Sequence, residues 1–335
     1  MEIRRVQMTG GSSYIITLPK DWINKSNIKK NDPIGLLQQS DGTLLITTKM
    51  TQEKMYKTKE FNAEKTLKQT YLFRRLVGAY IAGYTLIIIK SQSRMPIDVR
   101  NTIRNFTQSI IGQEIVEETD NSITLKDLLN PLEMPLDRTI RRMQIIVKRM
   151  NEDVLRSLKI GDTKLADEII LRDTEVDRLH WLIARQYHMI LQNVSLAEKM
   201  NITIGLSSTY FLISRIIERI GDHIVRIAQN IQHLKKTKQN QKIIDNIEKA
   251  SGLALDIFNK SIDAFFKKDI KASNENIDTV EKLEKLCEEI NALALQQKAI
   301  IAISIGYIVE SIRRIGEYAE DISENVINYL VDEEK

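Results

Sequence analysis

Ile213, Ile217, Ile220, Ile224, Ile227 and Ile231 recur at intervals of three and four residues, so they share one face of a helix. The same period runs through Val176, Leu179, Ile183 and Tyr187, and again through Ile305, Ile308, Ile312, Ile315, Ala319 and Val326. Followed to its breaks, the pattern predicts six helices over 135–158, 162–192, 202–237, 239–267, 269–296 and 298–332. Gly161-Asp162 and Lys268-Asp269 mark turns, with Asp162 and Asp269 as N-caps, and a polar stretch near 193–201 parts the second helix from the third. All five prolines fall before residue 136. An interior proline costs a helix roughly 3 kcal/mol, so the proline-free remainder suits long helices.

Upstream the period shortens. Ile3–Thr9 and Ser13–Leu18 are β-rich runs parted by Gly10-Gly11, and residues 19–26 suit one short helix. Ile34–Gln39 and Thr43–Lys49 flank Asp41-Gly42, a hairpin signal because that turn needs positive φ. Residues 56–130 read as α/β: a helix over 62–83, a buried strand over 84–89, a helix over 97–111, and a hairpin of 112–118 with 122–128. The chain therefore divides into 1–50, 51–130 and 131–335, the last as two three-helix sets over about 135–237 and 239–332. The first segment is too short to bury a good core alone, which implies a dimer or a docking partner.

Composition changes this picture little: the net charge is +4, with 42% apolar and 28% charged residues, as in a soluble globular protein. The excess of charge sits at the front. Residues 1–50 hold seven Lys/Arg against four Asp/Glu, and residues 135–335 hold thirty against thirty-one. The single cysteine, Cys287, lies in a helical pattern and reads as a buried thiol rather than a redox or ligand group. With no disulfide possible within the chain, no signal-peptide core and no apolar run near the ~20 residues a spanning helix needs, the expectation is a cytoplasmic protein without membrane insertion.

Chemistry concentrates in carboxylates. Glu218-Arg219-Ile220-Gly221-Asp222-His223 places two acids at i,i+4, and a degraded echo, Arg313-Arg314-Ile315-Gly316-Glu317-Tyr318, follows 95 residues later. On the helical wheel Glu218 and Asp222 lie opposite the isoleucine stripe, facing solvent or a partner; Asp173 and Asp177 lie off the apolar face of the second helix. In the second set Asp278 stands for Asp173 and Lys282 for Asp177, while Glu310, Glu317, Asp321 and Glu324 share a face with Arg313. Two readings stand: solvated faces with i,i+4 ion pairs, or two acid pairs converging on a hard cation. His180 and His223 read as packing or surface histidines. The chain has no P-loop, no His-Glu-x-x-His and no nucleophile–base pair, so an enzyme is not expected.

The Glu218–His223 stretch, followed by Ile227-Ala228-Gln229-Asn230, resembles the signature helix of PhoU-domain proteins. The resemblance covers about 135–332 and implies two three-helix repeats, regulation of phosphate uptake, and surface sites for iron, zinc, manganese or magnesium. It puts a first site on Asp173, Asp177, Glu218 and Asp222. A second would keep Asp278, Glu317 and Asp321, weakened by Lys282 and Arg313. Separately, Arg4-Arg5-Val6, the run from Gly11 to Trp22, and Asn27-Ile28-Lys29-Lys30-Asn31-Asp32 resemble the SpoVT/AbrB swapped-hairpin domain. That family usually has glycine where Asn27 and Asn31 stand; asparagine is the next best residue for a left-handed backbone. The resemblance implies a β-barrel shared by two chains and contact with DNA, for which Arg4, Arg5, Lys20, Lys25, Lys29 and Lys30 are the candidates. The pairing of the two domains resembles archaeal phosphate-uptake regulators. The expectation is a homodimeric DNA-binding regulator with a metal-binding helical domain; the alternative is a dimeric adaptor that docks on a phosphate transporter or sensor kinase without touching DNA.

Overall fold

The computed structural model describes residues 2–38, 42–48, 57–63, 68–234 and 240–333. The chain forms two units, 1–56 and 57–335. In the first, β1 (Gln7–Thr9) pairs antiparallel with β2 (Ser13–Ile15) across Gly10 and Gly11, both at positive φ. Helix α1 (Lys20–Lys25) follows, and then β3 (Gly35–Gln38) pairs antiparallel with β4 (Leu44–Thr47). Asn27 and Asn31 do take left-handed backbone, at φ 52° and 72°. Gly42 sits at φ 82°, while Asp41 of the expected turn lies outside the described residues. Among the described residues of one chain the strands form two separate two-stranded sheets, with no closed barrel. None of the described residues of this unit is buried, and Ile3, Met8, Tyr14 and Leu36 stand largely open.

The second unit begins with a four-stranded sheet. Its strands are β5 (Thr58–Asn62), β6 (Leu86–Lys90), β7 (Gln113–Glu118) and β8 (Ser122–Asp127), in the order β5-β6-β8-β7, with only β5–β6 parallel. Helices α2 (Gln69–Ile81) and α3 (Ile97–Ser109) complete it, closing a core around Leu76, Tyr80, Ile87, Ile103 and Phe106. β5 had no counterpart in the sequence reading because its four other residues are polar and only Phe61 is buried. The helix expected from residue 62 starts at Gln69, after the end of β5.

The rest is helical: α4 (Leu136–Ile160), α5 (Thr163–Gln192), α6 (Val194–Lys199), α7 (Ile204–Leu234), α8 (Gln241–Lys267), α9 (Ile270–Ile277), α10 (Val280–Ala294) and α11 (Ala299–Glu333). Both expected N-caps form: Asp162 accepts from the Lys164 and Leu165 amides, Asp269 from the Ala272 amide. Two boundaries differ. The polar stretch after α5 holds the short α6, capped by Asn193. The fifth helix is broken at Asp278-Thr279, where the amides of Thr279 and Lys282 turn to carbonyls three residues back. Beside the break, buried Asn276 spends its amide on the Ile257 carbonyl and the Ser323 hydroxyl, which anchors the kink to α8 and α11. A single core joins the helices and includes Ile213, Ile217, Ile220, Ile308, Ile312 and Ile315, all buried. No helix among the described residues is long and apolar enough to cross a membrane.

Candidate functional site

Gly221 organises the site. A Cβ built at this position would lie 2.8 Å from Asp173 Oδ1 and 3.7 Å from a Val176 methyl. Only glycine lets α7 come this close to the turn of α5 that carries the acids. The wheel placed Glu218 and Asp222 outward by reference to α7 alone. In the fold α5 covers that flank, so Asp173, Asp177 and Glu218 are half-buried and only Asp222 is exposed.

The four acids act on one another. The Asp173 carboxyl is pushed up to about 7 by burial, then by Asp177, Asp222 and Glu218. Asp177 is raised to about 6 by burial and Asp222. Glu218 reaches about 7 through burial, Asp222 and Asp177, against the opposing pull of Arg219 and Arg215. Asp222 is raised by partial burial, with Arg226 opposing. Asp173 Oδ1 is sealed from water and has no hydrogen-bond partner. A buried carboxylate oxygen in that state is costly unless a proton or a cation meets it. Among the described residues, no three His, Cys, Asp or Glu side chains are gathered closely enough to hold one metal ion. The donor set is all oxygen and, as placed, brings at most two of these side chains to one point, so a hard cation there would take most of its shell from water.

The second repeat departs further. Gly316, the echo of Gly221, meets Leu283: a Cβ there would lie 2.2 Å from its Cδ2. With Leu283 in the place of Val176, the counterparts of Asp173 and Asp177 become Val280 and Glu284, not Asp278 and Lys282. Asp278 ends α9, exposed at the break, and Lys282 is exposed on α10. The break displaces the register that a continuous helix would have kept. Glu284 instead acts on Arg313 and Glu320. Arg313 donates from Nε and Nη2 to Glu310 (2.9 and 2.8 Å) and also pairs with Glu317; Arg314 donates to Glu310 at 3.1 Å and to Glu317 at 3.0 Å. Arginines thus occupy these acids. Glu320 and Asp321, deeper along α11, are raised first by burial and then by neighbouring acids.

The two histidines pack. His180 stacks on Phe211 with its Nδ1 3.0 Å from Ser214 Oγ, and His223 is buried against Tyr318. Cys287 is buried, its thiol pushed up to about 12 by burial. In the N-terminal unit Arg4, Arg5, Lys20, Lys25, Lys29 and Lys30 are all exposed, with Arg4 paired to Glu2.

The sequence reading missed Arg185. This buried residue of α5 donates to the Tyr80 and Tyr84 carbonyls and to Asp127, fastening the four-stranded sheet to the helices. An arginine among the apolar residues of a predicted helix was the available signal.

The family described as PhoU domain matches residues 140–231 and 247–326, about half of the chain. The family described as "Antidote-toxin recognition MazE, bacterial antitoxin" matches residues 7–54. A Thermotoga maritima protein named "Phosphate-specific transport system accessory protein PhoU homolog 1" is 23% identical over 199 residues, covering 57% of this chain and 84% of that protein. Among solved structures, the phosphate transport system regulatory protein PhoU from Streptococcus pneumoniae superposes with a TM-score of 0.51 at 17% identity, over 59% of this chain and 94% of that one. PhoU from Pseudomonas aeruginosa gives 0.53 at 18%, over 61% and 98%. At these identities the two structures speak for the fold.

Proposed function

The chain belongs to the PhoU domain family, and on that premise we propose that it is a non-enzymatic regulator of phosphate transport. In this reading the helical repeats carry the regulatory surface and the N-terminal unit makes the protein a dimer that contacts DNA. The observation that carries the dimer is the absence of any buried residue among those described in the N-terminal unit, together with its open Ile3, Met8, Tyr14 and Leu36. Apolar surface of this kind is stable in water only when covered, and a second copy supplies the matching strands. The six exposed Lys and Arg side chains of this unit, doubled in a dimer, favour duplex DNA through phosphate contacts.

Asp173, Asp177, Glu218 and Asp222 would hold iron, zinc, manganese or magnesium. Bound there, the cation would neutralise the acids and tie α5 to α7. Asp173 Oδ1, sealed and unpartnered, supports this over a merely solvated acidic face. The second repeat is the poorer candidate because Arg313 and Arg314 already occupy Glu310 and Glu317.

The test is binding of the full chain to the promoter region of its host's phosphate-transport genes across a salt series. Arg4→Ala with Arg5→Ala should weaken binding and flatten the salt slope. A chain lacking residues 1–56 should be monomeric by light scattering. A dimeric full chain with no affinity for DNA would favour the adaptor, and an unchanged dimer after truncation would move the interface elsewhere. For the metal, elemental analysis of wild type against Glu218→Gln with Asp222→Asn should show most of the metal lost while helicity by circular dichroism is kept.

A further inference from the structure

Where α7 meets α11, a groove of about 730 Å³ opens beside the His223–Tyr318 contact, within the usual size range of small-molecule sites. It is lined mainly by donors and adjoins the acid cluster at Asp222, on which Arg226 acts, without including any of the four acids. The buried His223 ring is 8% exposed, and its Nδ1 is sealed without a hydrogen-bond partner. A sealed N–H without an acceptor is rarer than a sealed lone pair, so the ring carries its proton on Nε2. Were the ring charged, Nε2 would still donate. That nitrogen has no hydrogen bond to the protein among the described residues, and the ring lines the groove. Three residues along α7, the Arg226 guanidinium is exposed and makes no ion pair or side-chain hydrogen bond there either; only its carbonyl is used, by Asn230 Nδ2 at 2.8 Å. On the α11 side the Arg314 guanidinium also lines the groove but is committed to Glu310 and Glu317, which, among the described residues, leaves Arg226 as the cation free to meet a ligand. The one acid, Glu310, is occupied by Arg313 and Arg314. Tyr307, 60% exposed, stands at the rim as an open aromatic face.

Free guanidinium and imidazole N–H donors recognise tetrahedral oxyanions. The groove is several times larger than such an anion, and its free aromatic suits a planar group. We propose that the α7–α11 groove binds a small organic phosphate of the nucleotide class, with Arg226 and His223 Nε2 on the phosphate and Tyr307 against the planar moiety. The assignment stands on the groove's own groups and does not depend on the regulatory reading above.

The test is isothermal titration of the full chain with AMP, inorganic phosphate and sulfate. AMP should bind more tightly than inorganic phosphate, and phosphate should compete with it. Arg226→Ala should weaken AMP roughly ten- to hundred-fold, the worth of one charge-assisted contact, with partial recovery in Arg226→Lys. Tyr307→Ala should weaken AMP and leave inorganic phosphate unchanged. Arg226 and Tyr307 are exposed, so neither change threatens the fold, and Arg138→Ala on α4 serves as the remote control. Failure of both AMP and inorganic phosphate to bind at millimolar concentration overturns the proposal. So does equal AMP affinity in wild type and Arg226→Ala. Binding lost in Glu218→Gln with Asp222→Asn but kept in Arg226→Ala would move the phosphate to the acid cluster and equally overturn it.

Discussion

His223 and Tyr318 occupy the same position in the two repeats, 95 residues apart, and their ring centroids lie 5.6 Å apart. The equivalent helices α7 and α11 therefore meet at equivalent residues, as a pseudo-twofold arrangement requires. Arg219 approaches the same ring, its guanidinium 5.7 Å from the Tyr318 centroid. Tyr318 thus joins the repeats through its ring rather than its hydroxyl.

Tyr318→Ala is expected to lower stability by about 1–3 kcal/mol, the range for removing a half-buried aromatic with a ring contact and a cation above it. Tyr318→Phe should stay within about 0.5 kcal/mol, because the ring is kept. Urea unfolding of the three proteins decides it. A large loss in the Phe variant would show that the hydroxyl, not the ring, joins the repeats.

Two helical glycines should respond oppositely to alanine. At Gly221 the new methyl would meet Asp173 Oδ1 at 2.8 Å. Either the carboxylate or α5 must move, at an expected cost of about 1–3 kcal/mol. At Gly252, inside α8, nothing lies within 4 Å of the added carbon. Gly252→Ala should therefore stabilise by about 0.5–1 kcal/mol through helix propensity and reduced unfolded-chain entropy. Thermal melts of both variants are the check, and a stabilised Gly221→Ala would mean that α5 and α7 are not pressed together at the acids.

The raised acids set a pH dependence. Asp173 and Glu218 release their protons at about 7 and Asp177 at about 6 in the folded chain, against about 4 when unfolded. Between about pH 4 and 7 the folded state holds the extra protons, so this cluster's contribution to stability falls as pH rises through that window. In chelator-treated protein, Asp173→Asn should match wild type only near pH 3, below the unfolded value, and exceed it increasingly up to pH 8. Adding Mn²⁺ at pH 8 should narrow the gap by stabilising the wild type. A difference between the two proteins that does not change with pH would show that the acids are not coupled in the folded state.

The helices of the C-terminal part were legible because their apolar faces repeat over many turns, which overdetermines the period even where local propensity is weak. The caps at Asp162 and Asp269, and the left-handed Asn27 and Asn31, were legible because few residue types suit those conformations. The first acid cluster was readable as four residues, but not its half-burial: a wheel knows its own helix and not the neighbour that Gly221 admits. The register of the second cluster was misread for a related reason. Asp278 and Lys282 follow from a continuous fifth helix, and the break at Asp278-Thr279 rests on Asn276 bonding to residues from two other helices, which no local pattern records. Arg185 lies at the same limit, since its acceptors come from residues 80, 84 and 127.

Arg185 yields the sharpest prediction about how the sheet is held. It is 2% exposed and donates to the Tyr80 carbonyl, to the Tyr84 carbonyl at 3.0 Å and to Asp127 Oδ2, with its guanidinium 4.8 Å from the Tyr80 ring centroid. Asp127 is almost as well covered, so the two charges depend on each other. Arg185→Met keeps much of the volume but leaves the Asp127 carboxylate without its cation, while the Tyr80 and Tyr84 carbonyls keep only the Gly83 amide and Gln113 Nε2 as donors. Breaking one side of such a buried pair is expected to cost about 3–5 kcal/mol. Arg185→Lys should recover little, because one ammonium cannot reproduce a planar fork that serves three acceptors. Arg185→Met with Asp127→Leu should recover part of the loss, since no charge is then left unpaired. Hydrogen exchange read by mass spectrometry would localise the effect. Protection should fall in β6, β8 and the end of α2, while the α7–α11 core keeps its own. Unchanged exchange in the sheet of the Met variant would show that apolar contacts such as Trp181 against Phe73 (6.3 Å between centroids) suffice to hold it, and that the buried ion pair serves some other purpose.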